Sequence, residues 1–160
     1  MRRTSLFANL RALHQSCNPS CLVRTCKRPR CQLRLPQEAM AMDCDRCRAF
    51  PQHKKHPDFI VLHANASAHW FVVEMKSKVS NVSDIIEQLE AGAKAILSSR
   101  LFKVGIPPDI AFIVLHRGIH QQDQQALQRR RLRVNGVPVK GILVKRCGIS
   151  LTQFLEHGTY

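Results

Sequence analysis

Three side chains in this sequence have types and spacing that suit phosphodiester hydrolysis: Asp58, Glu74 and Lys76. Glu74 and Lys76 stand two residues apart in an apolar, β-branched run, WFVVEM at 70–75 followed by Lys76. Alternation along a strand sends both to one face and sends Val73 and Met75 to the other. Asp58 opens an earlier run of the same kind, DFIVLH at 58–63, and fifteen residues lie between it and Glu74. A hairpin with a short turn spans that distance, so one strand pair presents two carboxylates with an ammonium beside them. Splitting a phosphodiester calls for a hard cation to neutralise the phosphoryl oxygens and activate water. Mg²⁺ accepts carboxylate and water oxygens, usually with only one or two carboxylates from the protein. On this reading Asp58 and Glu74 hold the metal, and the backbone carbonyl of Met75 adds an oxygen. Lys76 then orients or helps deprotonate the attacking water, or stabilises the phosphorane. The bland alternative is a surface aspartate at a strand start and an ordinary Glu/Lys ion pair.

The run Pro57-Asp58, fifteen residues, then Glu74-Met75-Lys76 resembles the PD-(D/E)XK nuclease superfamily. That superfamily includes many restriction enzymes, Holliday-junction resolvases and RecB-like exonucleases. The resemblance covers residues 57–116. It implies a restriction endonuclease-like core, Asp58 and Glu74 as ligands of Mg²⁺ or Mn²⁺, Lys76 as the catalytic lysine, and DNA as the substrate. RecB-like members add a glutamine on the helix after the motif, and Gln88 stands there. Whether the branch is RecB-like or resolvase-like stays open. So does a homodimer, since resolvases and many restriction enzymes pair. Two features depart from the pattern. Many members carry an acidic residue on an upstream helix, whereas here Glu38, Asp43 and Asp45 sit in a Cys-rich connector, with Glu38 the first choice. Iron–sulfur RecB-like nucleases split their cysteines between the two ends of the domain, whereas here only Cys147 is late.

The elements that must position these residues follow from periodicity. Strands are expected over 58–63 and 70–75, joined by a turn at 64–68. A loop over 77–83 leads to a helix with Asp84 and Glu87 as a capping-box-like start. Ile86, Leu89, Ala93 and Ile96 or Leu97 line one face of it at helical spacing. It ends near Arg100, ahead of Gly105-Ile106-Pro107-Pro108. A strand over 110–116, a polar helix over 121–133, a tight turn at Asn135-Gly136, strands over 137–140 and 142–147 and a short helix over 151–156 complete the order. A helix between strands implies a crossover and parallel pairing in part of the sheet. Residues 1–37 read as a short helix followed by irregular structure, and 38–57 as a weakly ordered connector. Trp70 reads as a packing residue of the hairpin. His63 and His69 are expected to be solvated at its turn, and His116, His120 and His157 to be without a role.

The net charge is +14 and the sequence pI about 10.2, the balance of a domain that faces a polyanion. Residues 1–57 hold 12 Lys/Arg against 3 Asp/Glu, and residues 58–160 hold 13 against 8. A basic arm therefore precedes the motif, and Arg129, Arg130, Arg131 and Arg133 form a second basic cluster, expected to contact phosphates without reading sequence. Aromatic residues make up only 6%, which argues against a base-stacking platform. No apolar run approaches the length of a membrane span.

Six of the seven cysteines, Cys17, Cys21, Cys26, Cys31, Cys44 and Cys47, fall between residues 17 and 47. Their odd total and the lack of a secretory h-region point to reduced thiols. Cys44-x2-Cys47 has the spacing of a zinc knuckle, and His53 and His56 could complete a Cys2His2 set for Zn²⁺, with an iron–sulfur cluster second. A Cys-rich leader without metal is the plain alternative. Cys147 reads as a core thiol in an apolar strand.

Together these features predict an α/β fold, a mixed β-sheet flanked by helices, with a basic Cys-rich extension at 1–45 and a nuclease-like domain at 46–160. The expected activity is metal-dependent hydrolysis of DNA. Its rivals are a catalytically silent nucleic-acid-binding or adaptor protein on the same fold and a zinc-organised interaction module. The expected location is the cytoplasm, associated with the nucleoid, or the nucleus in a eukaryote. The Arg-rich start, with Leu6, Phe7, Leu10 and Leu13 on one helix face, also fits a mitochondrial presequence.

Overall fold

The computed structural model describes residues 19–47, 50–51, 53–63, 70–98 and 109–156. The expectations for the presequence-like start, the 64–68 turn, Cys17, His69 and His157 lie outside them. A short 3-10 turn, Pro19–Cys21, leads into the first of the eleven strands found among the described residues. These are β1 (Leu22–Val23), β2 (Thr25–Arg28), β3 (Cys31–Arg34), β4 (Ala39–Asp43), β5 (Phe59–His63), β6 (Trp70–Lys76), β7 (Ile110–His116), β8 (Arg133–Val134), β9 (Val137–Pro138), β10 (Ile142–Arg146) and β11 (Ile149–Ser150). Among the described residues three helices accompany them: α1 (Val82–Leu97), α2 (Gln121–Gln128) and α3 (Leu151–Glu156).

Six strands form one sheet in the order β1-β4-β5-β6-β7-β10. Pairing is antiparallel from β1 to β6 and parallel from β6 through β7 to β10. The switch falls where α1 carries the chain from β6 to its parallel neighbour. β5 and β7 are buried along their whole length, as uninterrupted apolar runs must be in strands covered on both faces. On one face Ile60, Val72, Phe112 and Val144 pack with Ile85, Ile86, Leu89, Ala93 and Ile96 of α1. On the other, Phe59, Val61, Phe71, Val73 and Ile113 pack beneath Cys26 and Leu33, which belong to a three-stranded sheet of order β11-β3-β2. The architecture is a mixed sheet with α1 and α2 on one face and this small sheet, joined by Leu151 of α3, on the other. No helix among the described residues is long and apolar enough to cross a membrane.

α1 begins at Asn81, whose side chain accepts from the Asp84 N–H. Asn81 is therefore the cap, and Asp84, expected to start the helix, lies in its first turn, where a carboxylate suits the positive end of the helix dipole. α2 stops at Gln128, so Arg129–Arg133 is not helical as expected.

The stretch read as irregular and weakly ordered contains four strands, β1 to β4. Each is short, all but β1 carry a charge, and each is a strand because of its neighbours: β4 is hydrogen-bonded to β5, and β2 to β3. The β2–β3 turn is Pro29-Arg30, with Arg30 at φ 59°. The thiols are not all reduced either: Cys31 and Cys147 form a disulfide across 116 residues. Cys147 follows β10 rather than lying in the core. Gly148 donates to the Gln32 carbonyl at 2.9 Å and β11 pairs with β3, which brings the two cysteines together. His63, expected to be solvated, is buried at the end of β5, where the strand continues opposite Ala39 of β4.

Candidate functional site

Asp58 sits one residue before β5, with its N–H donating to the Val73 carbonyl at 3.1 Å. Its Oδ2 accepts from the Met75 N–H at 2.7 Å, and its Oδ1 accepts from Arg28 Nε at 3.0 Å. The hairpin register thus places Asp58 beside Glu74, as the spacing predicted. In a strand, N–H and C=O of one residue point to the same side, so the Met75 carbonyl faces Asp58 and not β7.

Glu74 and Lys76 share a face with Trp70 and Val72, the face that α1 covers. Glu74 is only 3% exposed. Its Oε1 lies 3.4 Å from Lys76 Nζ, and its Oε2 meets no donor. Burial is the main cause that pushes the Glu74 carboxyl up to about 9, and the Asp58 carboxylate within hydrogen-bonding reach adds to it, against the pull of Lys76. At neutral pH Glu74 is therefore protonated and can donate to Asp58. Two carboxyls this close need either a proton or a cation between them.

Gln88 belongs to the same place. α1 runs antiparallel to β6: Ile85 shares a small cavity with Lys76, and Gly92 lies against Val72 and Pro57. Gln88 falls between Ile85 and Gly92, hence at the level of Glu74. Its Oε1 is buried and meets no donor. Asp58, Glu74 and Lys76 therefore gather at the carboxyl end of β6, and Gln88 lies on α1 at the level of Glu74.

Three further residues join them: Arg28, which sequence reasoning did not mark, Asp43, which it ranked behind Glu38, and His116, which it set aside. Arg28, from β2 of the small sheet, reaches Asp58 and also pairs with Asp43 at 2.9 Å and Asp45 at 3.0 Å, while its guanidinium lies over the Phe59 ring. Asp43, at the end of β4 and 5% exposed, is the acidic neighbour of Asp58. Glu38, the expected choice, is exposed in the turn before β4. The third is His116, read as having no role. It pairs with Lys76 in register on β7, and Arg146 pairs with it on β10, so the three form one row across the sheet. His116 is buried, its Nδ1 meets no partner, and burial, helped by Arg146, lowers its pKa. No sequence signal marked Arg28 among the twelve cations of the basic stretch; only the carboxylates at 43 and 45 hinted that a cation was needed.

Other expected groups do not converge. Cys44 and Cys47 face the core, and burial, then the neighbouring Cys47, raises the Cys44 thiol pKa. His56 turns away, with its ring nitrogens at Asp45 Oδ1 (2.8 Å) and the Lys54 carbonyl (2.9 Å), and His53 is exposed. Among the described residues no three His, Cys, Asp or Glu side chains gather as a metal-holding group. Arg129, Arg130, Arg131 and Arg133 are exposed but lie at the far end of the sheet. Val139 N–H donates to Leu132 O at 3.0 Å, and Lys140 N–H to Ile110 O, where β7 begins, at 2.9 Å. Lys78, Arg117, Lys145 and Arg146 are the exposed cations at the carboxyl end. No family model, curated protein or solved structure matches the chain.

Proposed function

We propose that this chain is a Mg²⁺- or Mn²⁺-dependent nuclease that hydrolyses DNA phosphodiesters on a restriction endonuclease-like core. The observation that carries the reading is the Asp58–Glu74 carboxyl pair, with Lys76 beside it and Glu74 Oε2 buried without a donor. The donor set would fit a hard divalent ion: two carboxylates and the Met75 carbonyl on the same side, with waters to complete the shell. Such an ion would neutralise phosphoryl charge and acidify a water. Lys76 would hold that water or the developing phosphorane charge, and the Gln88 amide oxygen would help orient it. Lys78, Arg117 and Arg146 line the end where the strand backbone passes. The order of hairpin, crossing helix and parallel strand also suits this reading.

A second reading has its own observation. Both oxygens of Asp58 already accept hydrogen bonds, one from Arg28 and one from Met75, an arrangement that also suits a catalytically silent nucleic-acid-binding or adaptor protein.

The deciding experiment is cleavage of labelled duplex, single-stranded and branched DNA with Mg²⁺, Mn²⁺ or EDTA, beside Lys76→Ala. The expected result is metal-dependent cutting that falls at least a hundredfold in the variant while DNA binding persists. Binding by both proteins with cutting by neither under any metal would overturn the nuclease and favour the silent binder.

A further inference from the structure

On the small sheet, the β2–β3 turn and the segment that follows β10 border an open cavity of about 280 Å³. Lys27, Arg28, Arg30, Gln32 and the Cys31–Cys147 disulfide line it. Every charged group on that wall is a cation. Arg28 is neutralised by Asp43, Asp45 and Asp58. Lys27 and Arg30 are exposed, and neither forms an ion pair among the described residues. The charge that the cavity offers a ligand is theirs.

Arg30 is the telling residue. It sits at φ 59°, in the left-handed region that L side chains rarely adopt and glycine adopts freely. Pro29 before it sets up a tight turn whose next position favours glycine. The chain carries an arginine there, and that arginine lines the cavity. Gln32 adds an amide able to donate or accept, and the disulfide provides an apolar wall. The volume lies near the lower end of small-molecule sites, more than a bare phosphate fills.

We propose that this cavity binds the phosphate of a single nucleotide, with Lys27 and Arg30 on the phosphate and the disulfide wall against the sugar or base. Arg28 lines the cavity and also bonds Asp58, so a phosphate held here lies one side chain away from the carboxyl pair. That link to cleavage rests on the nuclease reading; nucleotide binding does not. The phosphate can belong to a free nucleotide or to a link within a strand.

The test is binding of dTMP and of oligothymidylate without terminal phosphates, by calorimetry in EDTA at low salt, to the full chain and to Lys27→Gln, Arg30→Gly and Lys94→Gln. EDTA removes cleavage, so failure of the cavity and failure of the nuclease are separate results. Arg30→Gly removes the charge while giving the turn the residue it favours, so its melting temperature should equal or exceed that of the parent. The expected result is that Arg30→Gly and Lys27→Gln each weaken binding tenfold or more, while Lys94→Gln, at an exposed cation in the last turn of α1, leaves dTMP binding unchanged. Binding of dTMP alone assigns a mononucleotide site, and binding of the oligonucleotide alone assigns a strand contact; either supports the proposal if Arg30→Gly abolishes it. Arg30→Gly binding both probes as the parent does, or neither probe binding the parent, would overturn it.

Discussion

Arg28 Nε donates to Asp58 Oδ1 at 3.0 Å, so a side chain of the small sheet holds the carboxylate that opens β5. The same guanidinium serves Asp43. Their side chains are 20%, 16% and 7% exposed for Arg28, Asp58 and Asp43. Removing one partner of such a group leaves carboxylates desolvated and uncompensated. Arg28→Ala is expected to lower stability by about 3 kcal/mol, read as a shift in the urea midpoint. Arg28→Lys keeps the charge but not the fork that reaches two aspartates, and should recover only part of the loss. A midpoint unchanged in Arg28→Ala would mean that the aspartates find other partners.

Glu74 makes stability depend on pH in a stated direction. Unfolded, its carboxyl titrates near 4.5; folded, near 9. Below pH 4.5 it is protonated in both states and contributes no slope. Between the two values the folded state holds more protons than the unfolded one, so stability falls as pH rises. Above 9 the full penalty of burying the charge is present. The melting temperature of the parent should therefore drop between pH 5 and pH 9. Glu74→Gln, which has the shape of the protonated acid, should flatten that drop. A divalent ion competes with the same proton, so added Mg²⁺ should raise the parent's melting temperature more at pH 8 than at pH 6 and leave Glu74→Gln unmoved. Equal pH slopes in the two proteins would refute the assignment.

Gly92 sets how closely α1 approaches the hairpin. A Cβ there would lie 2.5 Å from Val72 Cγ1 and 2.8 Å from Pro57 Cγ. Neither neighbour can swing aside: valine is held in few rotamers and proline is a ring. Helix propensity favours alanine over glycine by about 1 kcal/mol, but overpacking costs about 1–3 kcal/mol, and a contact this short sits at the upper end. Gly92→Ala should destabilise by about 2 kcal/mol net. It should also lower cleavage more than its unfolded fraction explains, because lifting α1 withdraws Gln88 from the level of Glu74. A stability gain in chemical denaturation would contradict this packing.

The parts legible in sequence were those that local pattern decides. DFIVLH, WFVVEM and IAFIVLH are strands because a continuous apolar run has little choice once both faces are covered. The parity of Glu74 and Lys76 follows from the pleat, and α1 shows its buried face at helical spacing. What stayed hidden depends on distant partners. β2 reads TCKR and β1 only LV, too short and too charged to declare themselves before pairing. The Arg28–Asp58 contact joins residues 30 apart. The cluster at Arg129–Arg133 was visible as charge, but only the topology tells which end of the sheet it occupies. Histidines 63 and 116 looked solvated or idle because the extent of a strand's last residue is set by its neighbour.

The Cys31–Cys147 bond has a topological meaning as well. It turns the chain between residues 31 and 147 into a covalent ring that contains β4 through β10 and every residue of the carboxyl cluster, with Arg28 just outside on one tail and α3 on the other. A single backbone cut anywhere within that ring opens the loop without parting the molecule. While the bond is oxidised, a nicked chain still travels as one piece, and only thiol treatment lets its halves separate.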